Sequence, residues 1–403
     1  MTATASPKRP SSMSVRLKVL AVNALLVLVS TLLSYFVLEI VFYRVLLPDA
    51  RFSPRPFLPE TPGVLVQTTK AGYAPHDYVA ILGDSYAEGV GDEMLHANGD
   101  DTKLFHAAHV IHARTGRDVV TFGQGGAGSA EAFVRLPTRA IEGSRCVIFP
   151  TIEDPAHIFA YFYEGNDVDE NLGFTRKVAT QYGGADTDAI DRYLSEQYGR
   201  FASWRCHFYL GDNVSRMARF VYEYKVKKTN PFVTSETNRN TFVIADKETP
   251  TPAVLGPAIA VAPDDIRTAI GVFGRSLAWL RRRFASTPIV VVYVPSPLST
   301  YRLAAPTVTY LSIEGASYQP RESASARVAA NSDLLCGLVR EAAVRLGTGF
   351  LDARPALRAA AAAQPIHGPI DWLHFNHAGY QVFGALLARR LPDATTLDAC
   401  GAS

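Results

Sequence analysis

The chain has 403 residues, 48% of them apolar and 19% charged, with a formal net charge of +2. That composition excludes a disordered chain and leaves enough apolar material for a large core. Lys and Arg are scattered rather than gathered into a stripe interleaved with aromatics, so the sequence argues against a nucleic-acid partner.

Residues 1–18 are basic, with Lys8, Arg9, Arg16 and Lys18 and no acid. The next stretch, 19–47, reads "VLAVNALLVLVSTLLSYFVLEIVFYRVLL" and is apolar on every face. About 20 such residues cross the hydrocarbon core of a bilayer, so this run predicts a transmembrane signal-anchor helix and makes the lipid bilayer the first expected partner. It is too long for a cleaved signal peptide, and no small-x-small site follows it. The cations ahead of it place the N-terminus in the cytoplasm and the rest outside, on the periplasmic side of an inner membrane. Glu39 falls near the outer end, where snorkelling or pairing with Arg44 would make it tolerable. Residues 48–75, with Pro54, Pro56, Pro59 and Pro62, read as a tether.

Residues 76–392 alternate short β-rich runs with helical stretches. The runs are 78–82, 118–122, 157–163, 288–294 and 348–352; the helical stretches are 102–115, a segment from Ser129, 264–285, 326–346 and 379–391. Continuous apolar strands separated by helices predict a parallel sheet buried on both faces, hence a three-layer α/β/α sandwich. "RCVIFPTI" (145–152) is also strand-like. Residues 170–263 break the rhythm, are rich in aromatics, and predict a partly helical insertion that could cover a site. Residues 393–403 read as a tail. Cys146, Cys206, Cys336 and Cys400 have no metal-ligand spacing; in an oxidising compartment they predict one or two disulfides, with all three connectivities open.

Three segments carry chemistry. Ser85 follows the first strand, at the edge where parallel sheets place ligands. Asn166 follows the strand at 157–163. Asp371 and His374, three residues apart, precede the last helix. A carboxylate fixing one imidazole nitrogen while the other faces a hydroxyl is the arrangement a Ser nucleophile needs.

These segments resemble the blocks of the SGNH (GDSL-type) hydrolase superfamily: "GDSYAEG", "TFGQGGAGS", "EGND" and "DWLH", in the family's order. The resemblance implies a flavodoxin-like sheet and Ser85 as nucleophile. It also implies His374 as base, Asp371 as its orienter, and an oxyanion hole from Ser85, Gly126 and Asn166. It implies no cofactor and no metal. Departures are Glu164 where the third block usually has Gly, Thr121 in place of Asn, and the long insertion. Glu88, Glu164 and Trp372 are candidates for substrate contact. The expected function is a serine esterase deacylating an envelope glycan or lipid ester, within reach of envelope polysaccharide machinery. A polysaccharide O-acetyltransferase using the same acyl-serine is the alternative, and a non-catalytic glycan-binding module the third.

Competing readings attach to single features. "GQGGAG" (123–128) matches a dinucleotide-binding fingerprint, but its only acid at the required distance, Glu142, precedes the next strand. His106, His109 and His112 lie at three-residue steps without a carboxylate or Cys to complete a metal site, and read as a solvated or half-buried face.

Overall fold

The computed structural model describes residues 12–46, 64–92, 106–134, 152–184, 187–203, 239–314 and 317–401, with 210, 211, 214, 215, 218 and 222 between them. Helix α1 runs Ser12–Val41 and continues as a π-helical turn, Phe42–Leu46. The span Arg16–Leu46 has the length and composition to cross a membrane, with mean hydropathy 2.4. Its last turn does not end free. Phe42 and Tyr43 are buried in the core of the domain, and Tyr73 Oη donates to the Tyr43 carbonyl at 2.5 Å. Glu39 is buried as well, and its carboxylate accepts from Leu210 N–H at 3.1–3.2 Å. A backbone donor of the insertion thus meets the acid that the sequence reading assigned to snorkelling or to Arg44.

The central sheet has five parallel strands: β1 (Val79–Leu82), β2 (Val119–Thr121), β3 (His157–Tyr163), β6 (Ile289–Val294) and β10 (Gly349–Asp352), in the order β10-β6-β3-β1-β2. Registers such as Ile81↔Thr121, Ile81↔Phe159 and Phe159↔Val290 align the strands' C-terminal ends. β1 lies between β2 and β3, so the chain reverses its direction of winding beside β1. A crevice opens at such a point outside the carboxyl ends.

Apolar side chains fill both faces. One is covered by α6 (Pro263–Arg283) and α7 (Ser325–Arg345), through Phe273, Leu277, Leu335 and Val339. The other is covered by α3 (Ala107–Thr115), α8 (Arg354–Ala363) and α9 (His377–Arg390), through Ile111, Leu357, Tyr380 and Phe383. The expected α/β/α sandwich with a parallel, flavodoxin-like strand order is what the chain forms.

Boundaries differ from expectation in three places. Val64, Leu65 and Val66 are core residues, and the Gln67 side chain donates to the Thr121 carbonyl and accepts from Thr121 N–H. Packing against β2 therefore begins at residue 64, and the tether expected over 48–75 is shorter; 48–63 lie outside the described residues. The insertion holds α5 (Thr187–Ser203), and also a hairpin, β4 (Asn240–Ile244) with β5 (Lys247–Thr251), that pairs with β7 (Arg302–Leu303). A second hairpin, β8 (Thr307–Glu314) with β9 (Ser317–Ala324), precedes α7. The strand expected at 145–152 lies, but for Ile152, outside the described residues.

The C-terminal tail is structural. Phe350 N–H donates to Thr396 and Asp398 N–H to Phe350, which adds the tail to the sheet edge at β10. Cys400 is disulfide-bonded to Cys336 on α7, closing a 64-residue separation; Cys146 and Cys206 lie outside the described residues. Cross-linking across such a loop stabilises by about 2–4 kcal/mol, chiefly by restricting the unfolded chain. Cys400→Ser should therefore lower the unfolding free energy of the detergent-solubilised chain by about that amount in a guanidinium melt. An unchanged midpoint would contradict the assignment.

Candidate active site

The site is built at the carboxyl end of β1. Asp84 caps the short helix α2 (Ser85–Glu88), its Oδ1 accepting from Tyr86 N–H at 3.0 Å. That cap turns the chain sharply after the strand and leaves Ser85 as the first helical residue, 7% exposed. Gly123 lets the loop after β2 press onto α2, because a Cβ there would lie 2.2 Å from Glu88 N. Close packing on α2 is thus the use this structure makes of the first glycine in "GQGGAG".

The opposite wall is the loop 371–376. His374 Nε2 lies 2.8 Å from Ser85 Oγ, and His374 Nδ1 lies 2.7 Å from Asp371 Oδ2. Asp371 Oδ1 accepts from Leu373 N–H at 2.8 Å, so both carboxylate oxygens are fixed. Burial disfavours charge on either group, but their mutual attraction prevails. Asp371 is held below its ordinary carboxylate value and His374 above its ordinary imidazole value. The sequence reading placed these three residues together, and the fold does the same.

Residues not singled out in the sequence hold this loop. Asp92 accepts from Asp371 N–H at 2.6 Å and from Ile370 N–H at 3.2 Å. Tyr86 Oη donates to the Leu373 carbonyl at 2.6 Å, and the Tyr86 ring centroid lies 5.4 Å from that of His374. Asn376 caps α9 through Gly379 N–H. The place of Asp92 at the end of "GDSYAEGVGD" is the one sequence signal for this support.

Asn166 sits at the N-cap position of α4 (Asp167–Tyr182) after β3 without a side-chain capping bond, and its amide lies beside the Asp84 carboxylate. It is 6% exposed, and its Oδ1 has no partner among the described residues. Below it two acids are buried together. Burial pushes Asp84 up to about 6, and burial with the Asp84 charge raises Asp167 well above its usual range. In the loop after β2, a Cβ on Gly125 would lie 3.8 Å from Ser85 Cβ. Gly125 N–H donates to Glu88 Oε2 at 2.7 Å. Gly126 follows with φ +68°, a turn position that suits glycine, and its N–H donates to no acceptor among the described residues.

Two candidates for substrate contact point inward. Glu164 is fully buried: Oε1 accepts from Ser296 N–H and Oγ–H, and Oε2 from Tyr293 Oη (2.5 Å) and Ser332 Oγ (2.8 Å). It fastens the end of β3 to the end of β6. Trp372 packs its ring beside Phe242 of β4 and Tyr301 and against Gly368, so it docks the insertion hairpin onto the His374 loop. Glu88 stays at the rim. The three histidines of α3 are structural: His106 caps the helix, His109 bonds Thr68 and is pushed down to about 4 by burial, and His112 bonds the Arg117 carbonyl.

No protein-family model matches the chain, and no curated protein matches it. Among solved structures it is similar to an extracellular lipase from Streptomyces rimosus (16% identity, TM-score 0.39, 79% of this chain and 99% of that one). It is also similar to phospholipase A1 from Streptomyces albidoflavus NA297 (16%, 0.36, 79% and 99%). A third is LAE5, an α/β hydrolase enzyme from the metagenome of Lake Arreo, Spain (14%, 0.34, 78% and 95%).

Removing the Glu164 carboxylate would break four buried contacts. Tyr293 Oη and Ser296 Oγ keep second partners in the Ser332 carbonyl and Ser299 Oγ. Ser296 N–H and Ser332 Oγ–H would lose their acceptor, each costing about 1–3 kcal/mol when wholly unmet. Glu164→Ala should destabilise the chain by about 3 kcal/mol or more, with Glu164→Gln milder, read by chemical denaturation. Equal stability in Glu164→Ala would show that the network contributes nothing.

Proposed function

We propose that the chain is a membrane-anchored serine esterase of SGNH type that deacylates an ester of a cell-envelope glycan or lipid. One observation carries this reading: the two-step relay Asp371–His374–Ser85, with both contacts below 3 Å, at the carboxyl edge of the parallel sheet. A Ser beside an imidazole whose far nitrogen is held by a buried carboxylate has the parts of an activated nucleophile.

Ser85 Oγ attacks the ester carbonyl while His374 Nε2 takes its proton. Asp371 keeps the Nδ1–H tautomer and stabilises the imidazolium. The oxyanion is held by Ser85 N–H, the Asn166 amide and Gly126 N–H. Collapse expels the alcohol, protonated by His374, and leaves acyl-Ser85. Water activated by the same imidazole then releases the acid. The basic residues Lys8, Arg9, Arg16 and Lys18, at and before the start of α1, support a periplasmic location at the inner membrane, where envelope polysaccharide machinery would supply substrate.

Hydrolysis of p-nitrophenyl acetate by the full-length protein in detergent tests the reading. Ser85→Ala should abolish turnover, and Asn166→Ala should lower kcat by ~10²–10³, the usual loss for one oxyanion donor. Full activity in Ser85→Ala would end the proposal. The base must be neutral to accept a proton, so kcat/KM should rise with pH as His374 deprotonates. Its midpoint should lie above 6.5, the ordinary value that pairing with Asp371 raises. A midpoint below that value would contradict the pairing.

A further inference from the structure

The reactive pair opens onto a rim that the relay does not use. Glu88, at the end of α2, reaches Gly125 N–H. Across the same glycine turn, Glu170 lies in the first turn of α4: its N–H donates to the Asn166 carbonyl, and its Oε1 is 4.0 Å from where a Cβ on Gly126 would sit. Tyr318, paired with Ile313 near the tip of the β8–β9 hairpin, is half exposed. Burial, then the carboxylates of Glu170, Asp84, Asp371 and Asp169, push its phenol up. Asp84 and Asp371 flank Ser85 and His374, so the Tyr318 phenol lies within electrostatic reach of the reactive pair.

Among the described residues the charge at this rim is acidic. Arg176 lies beside Asp169, and Lys177 pairs with Glu131 at 2.6 Å. Among the described residues no Lys or Arg forms an ion pair with Glu88 or Glu170. Carboxylates accept hydrogen bonds from hydroxyl groups and repel phosphate, while a tyrosine offers a flat apolar face with a polar tip. Beneath them the Asn166 amide oxygen is buried and without a partner among the described residues.

Building on the esterase reading, we propose that Glu88, Glu170 and Tyr318 make this rim a selectivity filter. It admits an uncharged or cationic, hydroxyl-rich ester, the chemistry of an acylated sugar, and rejects phosphate-bearing lipid esters. Glu170 is the principal determinant because its carboxylate accepts no hydrogen bond among the described residues, whereas Glu88 is engaged by Gly125 N–H.

The test uses three aryl acetates: 4-acetoxybenzenesulfonate, phenyl acetate and 4-acetoxy-N,N,N-trimethylanilinium, each normalised to its hydroxide hydrolysis. At pH 8 Glu170, held up to about 7 by burial and by Glu131, Asp169 and Asp84, is ionised. The full-length protein should show kcat/KM in the order cation, neutral, anion, and Glu170→Gln should shrink the cation-to-anion ratio roughly fivefold or more. A second measurement needs no variant: raising the salt concentration should shrink the same ratio in the unaltered protein. The ratio of kcat/KM for 6-O-acetylglucose to that for phenyl acetate should fall in Tyr318→Ala. Ser85-dependent turnover with a cation-to-anion ratio near one, or a ratio indifferent to salt and to Glu170→Gln, overturns the filter and leaves the esterase standing. No turnover of phenyl acetate overturns the esterase itself, and the filter with it.

Discussion

The 2.8 Å approach of His374 Nε2 to Ser85 Oγ joins residues 289 positions apart, and it holds because two loops are fastened to each other. Asp92 of the first loop binds the backbone of Ile370 and Asp371, Tyr86 binds the Leu373 carbonyl, and Tyr380 on α9 donates to Val90 at 2.7 Å. Gly91 lies against Phe375, where a Cβ would come within 2.2 Å of the Phe375 carbonyl oxygen. The imidazole is thus oriented by several hydrogen bonds and one close backbone approach. Pre-organisation of this kind lets a relay act without reorganising.

Behind the site, buried acids set a second constraint. Glu164 ties β3 to β6 with four donor contacts, and next to it the buried Arg354 is held by Asp352 and Asp333 while lying over the Tyr293 ring. The carboxyl ends of three adjacent strands are therefore joined by polar contacts inside an apolar core. Such a network is costly to break and leaves few ways for the site to shift. The glutamate that departs from the family-like block is a brace, not a ligand for substrate.

Much of this was legible in the sequence where hydrophobicity is continuous. "HIFAYFY" reads as a strand over 157–163 and is one, and the span 19–47 reads as a helix because every face is apolar. The hairpins were not legible for a physical reason. β5 (KETPT) and β9 (SYQPRESA) are polar edge strands containing proline, with no alternating pattern to mark a buried face. The partner of β9, β8 (TVTYLSIE), alternates over Thr307–Tyr310, and that was the signal available. Proline-rich composition likewise hid Val64–Val66, three core residues within a stretch that reads as tether. At the site, Ser85, His374 and Asp371 declare themselves by residue type and spacing. Burial of Glu164 and Trp372, and the approach of Gly125, depend on long-range packing that no local pattern encodes.

One measurement bears most directly on the account: peptide mapping by mass spectrometry after reaction of the full-length protein with a fluorophosphonate. The account predicts a single adduct on Ser85 whose formation slows by orders of magnitude in His374→Ala. Labelling elsewhere, or labelling of Ser85 at an unchanged rate without the imidazole, would contradict it.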